Sequence, residues 1–380
     1  MIEIKNKKDC CGCHACYSIC PKKAIQMKED ENGFLVPKIS KNKCINCELC
    51  KKVCPIINLS KTTNNPVAYA MINNDIGVRK ESSSGGIFSL IAECILELDG
   101  IVFGATFNEQ FEVIHSYITQ KSELNKLRGS KYVQSSIGDC FIMAKQFLDN
   151  NRYVLFSGTP CQIEGLKKYL GKEYNKLYTQ DIICHGVPSP KIWRKYLQYR
   201  EQKDGGEKAV KISFRDKRRS WNNYEISFRY NNHVYTQDRN TDLFMRLFLQ
   251  NISLRESCYE CKFKKIDRIS DITLADFWGI KKILPKFNDN NGTSLVIINS
   301  DRGKELFNKI KNKTRYTEVE LQEALKYNKS MSESSKRPKQ REEFFREINE
   351  RNIEKVAQKY IPKISFYDKI KIKVKKLLRK

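Results

Sequence analysis

Fifteen cysteines are spread along the 380-residue chain, and eight of them fall in two copies of one run. Cys10, Cys13, Cys16, Cys20 and Pro21 recur, shifted by 34 residues, as Cys44, Cys47, Cys50, Cys54 and Pro55. Cys-x-x-Cys-x-x-Cys-x-x-x-Cys-Pro is the spacing by which bacterial-type ferredoxins ligate 4Fe-4S clusters. Three closely spaced thiolates wrap one face of a cubane, and the fourth cysteine serves the other cluster. The repeat therefore predicts one cluster on Cys10, Cys13, Cys16 and Cys54, and a second on Cys44, Cys47, Cys50 and Cys20. A pair of zinc sites is the alternative, but such sites usually show two Cys-x-x-Cys pairs rather than three consecutive ligands and a Cys-Pro. Cys11 reads as a bystander next to a ligand, and His14 as a neighbouring or surface residue.

Of the other cysteines, Cys94 and Cys140 fall within predicted helices and read as small core residues. Cys161 in Thr-Pro-Cys-Gln, Cys184 in Cys-His-Gly, and the pair Cys258 and Cys261 instead sit at strand ends or in loops. Pro160 suits a first helical turn, which puts Cys161 near a helix N-terminus, where the dipole favours thiolate. These four residues suit a third cluster; zinc or unrelated thiols are the alternatives that spacing leaves open. Single electrons from clusters reach a two-electron substrate only through something like a flavin. Ser82-Ser83-Ser84-Gly85-Gly86 leads into a predicted helix at Ile87 and offers backbone N–H groups to phosphate, although the same residues would also simply cap a helix. Arg128-Gly-Ser-Lys131 adds cations, and Ser157-Gly158-Thr159-Pro160 is a second strand-to-helix turn. No G-x-G-x-x-G follows a strand, so a Rossmann nicotinamide site is not supported.

The elements that must position these residues alternate. Apolar spacing from Ile87 to Leu98 predicts a helix stopping at Gly100, and Ile101 to Phe107 a strand. Strands at Tyr153 to Phe156, Leu177 to Ile183 and Asp271 to Phe277 interleave with helices at Ile137 to Leu148, Cys161 to Leu170 and Pro190 to Arg200. Val210 to Phe214, Tyr224 to Tyr230 and His233 to Thr236 read as antiparallel hairpin strands about an Asn231-Asn232 turn, which predicts a mixed sheet. Ser60 to Pro66 reads as a linker. From about Ser332, charged residues at helical spacing predict an exposed helical extension. The composition, 40% hydrophobic and 30% charged, is that of a folded soluble protein. The N-terminal MIEIKNKKDCC has no apolar secretion signal, and Glu93, Glu97 and Asp99 interrupt the longest apolar stretch, so a cytoplasmic location is expected.

SSSGGIFS, KLRGSKYVQSSIGD, VLFSGTPCQIEGLKKYL, DIICHGVPSPK, SFRDK and SDITLADFWGI resemble, in order, motifs of the coenzyme F420 hydrogenase/dehydrogenase beta-subunit family, from Cys10 to about Asn299. The resemblance implies FAD lined by Ser83, Ser84, Gly85, Gly86, Lys131, Gly158 and Thr159, with Asp276 and Trp278 as further contacts. It also implies a cluster on Cys161, Cys184, Cys258 and Cys261 beside the flavin. His185 reads as a structural loop histidine or a proton relay. The expected architecture is an α+β ferredoxin-like dicluster domain (1–62), an α/β flavin-binding domain with a mixed sheet (66–150 and 151–315), and a helical, basic C-terminal extension (316–380).

The function expected from this is an iron–sulfur flavoprotein oxidoreductase. It would pass electrons between ferredoxin-type clusters and FAD, and from FAD to an organic acceptor, either deazaflavin-like or a polysaccharide-pathway substrate. The alternative is a redox adaptor without substrate chemistry of its own. The 70 Lys and Arg against 44 Asp and Glu give a formal +26, which falls to about +20 if three clusters each carry about −2. That field predicts an acidic redox partner such as a ferredoxin or flavodoxin. No motif supports nucleic-acid binding. Lys369 to Lys380, with Ile370, Val374, Leu377 and Leu378 among lysines, reads as a tail for peripheral contact with an anionic membrane.

Overall fold

A computed structural model describes residues 1–362, and the tail at Lys369 to Lys380 lies outside them. In the N-terminal module α1 (Ala15–Ser18) and α2 (Leu49–Lys52) each follow the first cysteines of one repeat, and β1 (Ile25–Glu29) pairs antiparallel with β2 (Leu35–Ile39). The main domain opens with β3 (Val67–Asn73), α3 (Ile76–Glu81), α4 (Ile87–Leu96), β4 (Ile101–Phe107), β5 (Val113–Ile118) and α5 (Leu124–Leu127). It continues with α6 (Cys140–Asp149), β6 (Val154–Ser157), α7 (Pro160–Leu170), β7 (Leu177–Ile182) and α8 (Pro190–Lys203). Then come β8 (Lys211–Asp216), β9 (Glu225–Arg229), β10 (Val234–Asp238), α9 (Leu243–Leu249), β11 (Ile272–Asp276) and α10 (Ile280–Ile283). The last elements are β12 (Ser294–Ile298), α11 (Asp301–Ile310), β13 (Thr314–Val319), α12 (Leu321–Leu325), α13 (Arg341–Glu350) and α14 (Ile353–Tyr360).

Eight strands form the main sheet in the order β13-β3-β12-β11-β7-β6-β4-β5. The central β11, β7, β6 and β4 are parallel, and the flanking pairs are antiparallel. The sheet is mixed, but not for the expected reason: β8, β9 and β10 form a separate three-stranded sheet. The antiparallel partners are instead β5, β12, β3 and β13, the last of which runs across residue 315, where the extension was expected to begin. Helices α6 and α7 cover one face of the main sheet. There Phe141, Phe156 and Ile163 share a single apolar core with Cys13, Ala15, Cys16 and Val53 of the N-terminal module. Helices α4 and α11 cover the other face.

The C-terminal helices are not an exposed extension. Phe344, Phe345, Ile348, Ile353 and Val356 are buried in the core around Trp193 and Phe244 that the small sheet helps to build. The charge-rich sequence had hidden a continuous apolar stripe. Nor is Ser60 to Pro66 a free linker, since the Ser60 amide donates to Glu164 (2.8 Å), Lys265 donates to the Ser60 carbonyl (3.0 Å), and the Asn64 side chain donates to the carbonyls of Arg268 and Asn299 (2.9 and 3.0 Å). Among the described residues no helix is long and apolar enough to cross a membrane.

Candidate functional site

Both halves of the cysteine repeat fold back on each other. Cys16 lies within electrostatic reach of Cys10, Cys50 and Cys54, and Cys13 of Cys10 and Cys16. Cys20, Cys44, Cys47 and Cys50 line one cleft. The crossed pairing expected of the repeat is thus the one the chain brings together. His14 is 3% exposed rather than a surface residue; burial pulls its pKa down to about 3, and neither ring nitrogen has a hydrogen-bond partner.

Cys11 is more than a bystander, because it is buried against both Cys13 and Cys161. Gly165 of α7 lets the two segments meet: a Cβ there would stand 2.8 Å from the Cys13 Cβ and 2.9 Å from its sulfur. Arg255, 2% exposed, then ties the module to the main domain. Its guanidinium donates to the Cys10 carbonyl (2.8 Å), the Gln134 side chain (2.9 Å) and the Leu35 carbonyl (3.1 Å), and Gln134 donates to the Cys11 carbonyl (3.2 Å). Gly12, at φ +69°, leaves room for this, since a Cβ would come within 2.5 Å of the Gln134 amide and 2.9 Å of Arg255.

The four outlying cysteines converge. Cys161 is the second residue of α7, Cys184 follows β7, and Cys258 and Cys261 lie in a loop folded over both. Cys258 feels the charges of Cys184, Cys261 and Cys161. Gly186, at φ +149°, permits the approach, because a Cβ would stand 2.8 Å from Leu254 and 3.3 Å from the Cys258 Cβ. Lys264 donates to the carbonyls of Cys184 (2.8 Å) and Ser330 (3.2 Å), and the Cys261 amide donates to Ser334 (3.0 Å). The expected thiolate at Cys161 is not what the surroundings favour. The hydrogen bond with Cys11, and then burial, push its pKa well up despite the helix N-terminus, and burial holds the Cys184 thiol at about 12. Without a cation these thiols are protonated and poor nucleophiles.

A cavity of about 810 Å³ opens beside them at the carboxyl ends of β4, β6, β7 and β11, where α/β sheets bind ligands. Its wall includes Ser83, Ser84, Gly86, Lys131, Gly158, Thr159, Asp276, Trp278, Cys184 and His185. Gly85 is the exception among the expected contacts. It packs the loop onto the sheet, where a Cβ would meet the Met71 carbonyl at 2.5 Å and the Ser294 amide at 2.7 Å. The two expected loops touch, the Ser130 amide donating to the Ser83 hydroxyl at 2.6 Å. Asp276 is already engaged by Arg215 and by the Trp221 indole (2.8 Å), and Trp278 stacks on Trp221 with centroids 5.0 Å apart. His185 bonds Asn251 (2.6 Å) in a structural loop.

Two residues escaped the sequence reading. Lys217 donates to the carbonyls of Arg79, Ser84 and Asn291 (2.8, 3.1 and 2.9 Å) and so clamps the Ser/Gly loop. It is the last residue of SFRDK, which was the only signal. His115, 5% exposed on the cavity wall, hydrogen-bonds the Ser157 carbonyl through Nε2 (3.0 Å), which leaves Nδ1 without a partner. No local pattern marks it.

Two sequence matches agree with this geometry. Residues 9–56 match a 4Fe-4S dicluster domain, so the chain is an iron–sulfur electron-transfer protein. Residues 151–324 match the family described as the C terminus of the coenzyme F420 hydrogenase/dehydrogenase beta subunit, and the chain belongs to that family of oxidoreductase subunits. Among solved structures it is similar to a chain of the F420-reducing NiFe hydrogenase complex from Methanosarcina barkeri, at 16% identity and a TM-score of 0.46, over 71% of this chain and 91% of that one. No curated protein matches the chain.

Proposed function

We propose that the chain carries electrons from two N-terminal 4Fe-4S clusters, through a third on Cys161, Cys184, Cys258 and Cys261, to FAD in the cavity. From there they pass to an organic acceptor, deazaflavin-like or a polysaccharide-pathway substrate. The observation that carries this reading is the position of the four outlying thiols. Cys161 abuts Cys11 of the first cysteine run, and Cys184 lines the cavity. Among the described residues no three potential ligands converge on a point for a single ion. Such a spread suits a cubane better than zinc, whose bonds of about 2.3 Å draw four sulfurs together.

The cavity fits a dinucleotide. Its volume lies within the ~300–1,000 Å³ usual for ligand sites, and the Ser/Gly loop ahead of α4 supplies hydroxyls and backbone donors. Lys131 donates only to the carbonyls of Leu127, Arg128 and Gly129 and has no carboxylate partner among the described residues, as a cation reserved for phosphate would. A flavin bound there supplies the exchange between single electrons and two-electron chemistry.

Protein purified without oxygen should release FAD, identified by chromatography; a full-length chain that neither retains nor takes up flavin would overturn the reading. Lys131→Met should lower FAD affinity by roughly tenfold or more, the loss of one charge-assisted hydrogen bond to phosphate.

Lys131 also gives the binding a pH signature. Burial lowers its pKa to about 7, so the free protein carries the charge only below that pH. A phosphate would restore the higher value, and binding above pH 7 must then take up a proton. FAD affinity should therefore be flat at lower pH and fall by up to about tenfold per unit above it. Titration calorimetry in buffers of different ionisation heat detects the uptake, and Lys131→Met should abolish it.

A further inference from the structure

We infer that the surface around Ile45 and Cys47 is the docking face for a one-electron carrier protein with an acidic surface. The inference rests on the electron route just proposed. The two cysteine sets differ in where they point. Cys10, Cys13, Cys16 and Cys54 are all buried, against α7 and the main core. In the other set Cys20 and Cys44 are half-buried and Cys47 is exposed. Only the second cluster would therefore lie at the surface, on the side of the module away from Cys161.

Apolar side chains lie beside that cleft and in the segment after Cys54: Ile45 is 57% exposed and Ile57 56%. Lysines crowd the sequence on either side of its cysteines. Lys22 and Lys23 follow Cys20, Lys41 and Lys43 precede Cys44, and Lys52 follows Cys50; all five are exposed and form no ion pair among the described residues. The one carboxylate between Cys44 and Cys54, Glu48, is held by Lys51 at 2.5 Å and lies near the chain's amino terminus. An apolar centre with a cationic rim suits a small, transient, electrostatically steered contact, and its complement is a carrier with carboxylates around its own redox group. An exposed ligand cysteine at the centre favours an electron carrier over nucleic acid or lipid. In the encounter one electron leaves the carrier and one enters the cluster, with no bond made or broken.

The test uses full-length protein loaded with clusters and flavin, mixed in a stopped-flow instrument with reduced flavodoxin as the acidic probe. K41E/K43E should lower the second-order rate of cluster reduction at least about tenfold at low salt and flatten its salt dependence. K22E/K23E, on the other side of the cleft, should do the same, so the test survives a folding failure in one pair. K304E/K309E on α11, with the same charge change far from the cleft, should stay within about twofold, and dithionite should reduce all variants alike. Native rates in both cleft variants, or an equal loss in the α11 variant, would overturn the docking face. Failure of dithionite-reduced clusters to bleach the flavin would instead contradict the electron route, and the rate of reduction by flavodoxin separates the two outcomes.

Discussion

Alanine in place of Cys161 should remove about four of about twelve irons per chain and leave the clusters of the N-terminal repeat in place. The substitution is specific because little else depends on the sulfur. The start of α7 is secured by Thr159 and Gln162, whose side chains cap it reciprocally, and the thiol's one neighbour outside the cysteines is the Thr159 hydroxyl at 3.1 Å. Helix α7 therefore survives, while the third set loses the ligand that stands between Cys11 and the cavity. Iron and sulfide analysis together with Mössbauer spectra measure the change. Constant iron in the variant, or stoichiometric zinc in the native protein, would contradict the third cluster.

Arg255→Met should loosen the N-terminal module from the main domain. The methionine fills much of the space but strips donors from the carbonyls of Cys10 and Leu35 and from Gln134, all in a buried junction. Removing charge-assisted bonds while leaving buried acceptors unpaired costs about 3–5 kcal/mol. Because the lost contacts lie between the module and the main domain, the damage should appear there first. Hydrogen exchange should quicken around Gly12, Gln134 and Leu35, and electron transfer from the N-terminal clusters to the flavin should slow while iron content stays near native. Native exchange at those amides would show that Arg255 does not hold the junction. Its role is positioning: it touches the backbone of a ligand segment, not a cluster.

The parts of this arrangement that were legible in the sequence are those encoded by local spacing. The doubled run located eight ligands, Gly100 marked the end of α4, and Pro160 after Thr159 marked the start of α7. The resemblance then picked out most of the cavity wall. What stayed hidden depends on contacts between distant segments. Strands β3, β12 and β13 pair across more than two hundred residues, and β8 to β10 carry the same alternation whether they join the main sheet or build their own. Gly85 and Gly86 look alike in sequence, yet only Gly86 faces the cavity, because β3 and Ser294 press against Gly85. Arg255, Lys217 and His115 act through partners that no motif places beside them. The dipole argument for a Cys161 thiolate failed because burial and Cys11 outweigh one helix terminus.

The central claim is a continuous electron route through one chain, and a single-turnover experiment tests it most directly. Native protein and the Cys161→Ala variant, each loaded with FAD, are mixed anaerobically with reduced flavodoxin while cluster signals and flavin absorbance are followed. The route requires the N-terminal clusters to be reduced in both proteins and the flavin to bleach afterwards only in the native one. Equal flavin bleaching in the variant, or fully reduced clusters beside a flavin that stays oxidised in the native chain, would contradict it.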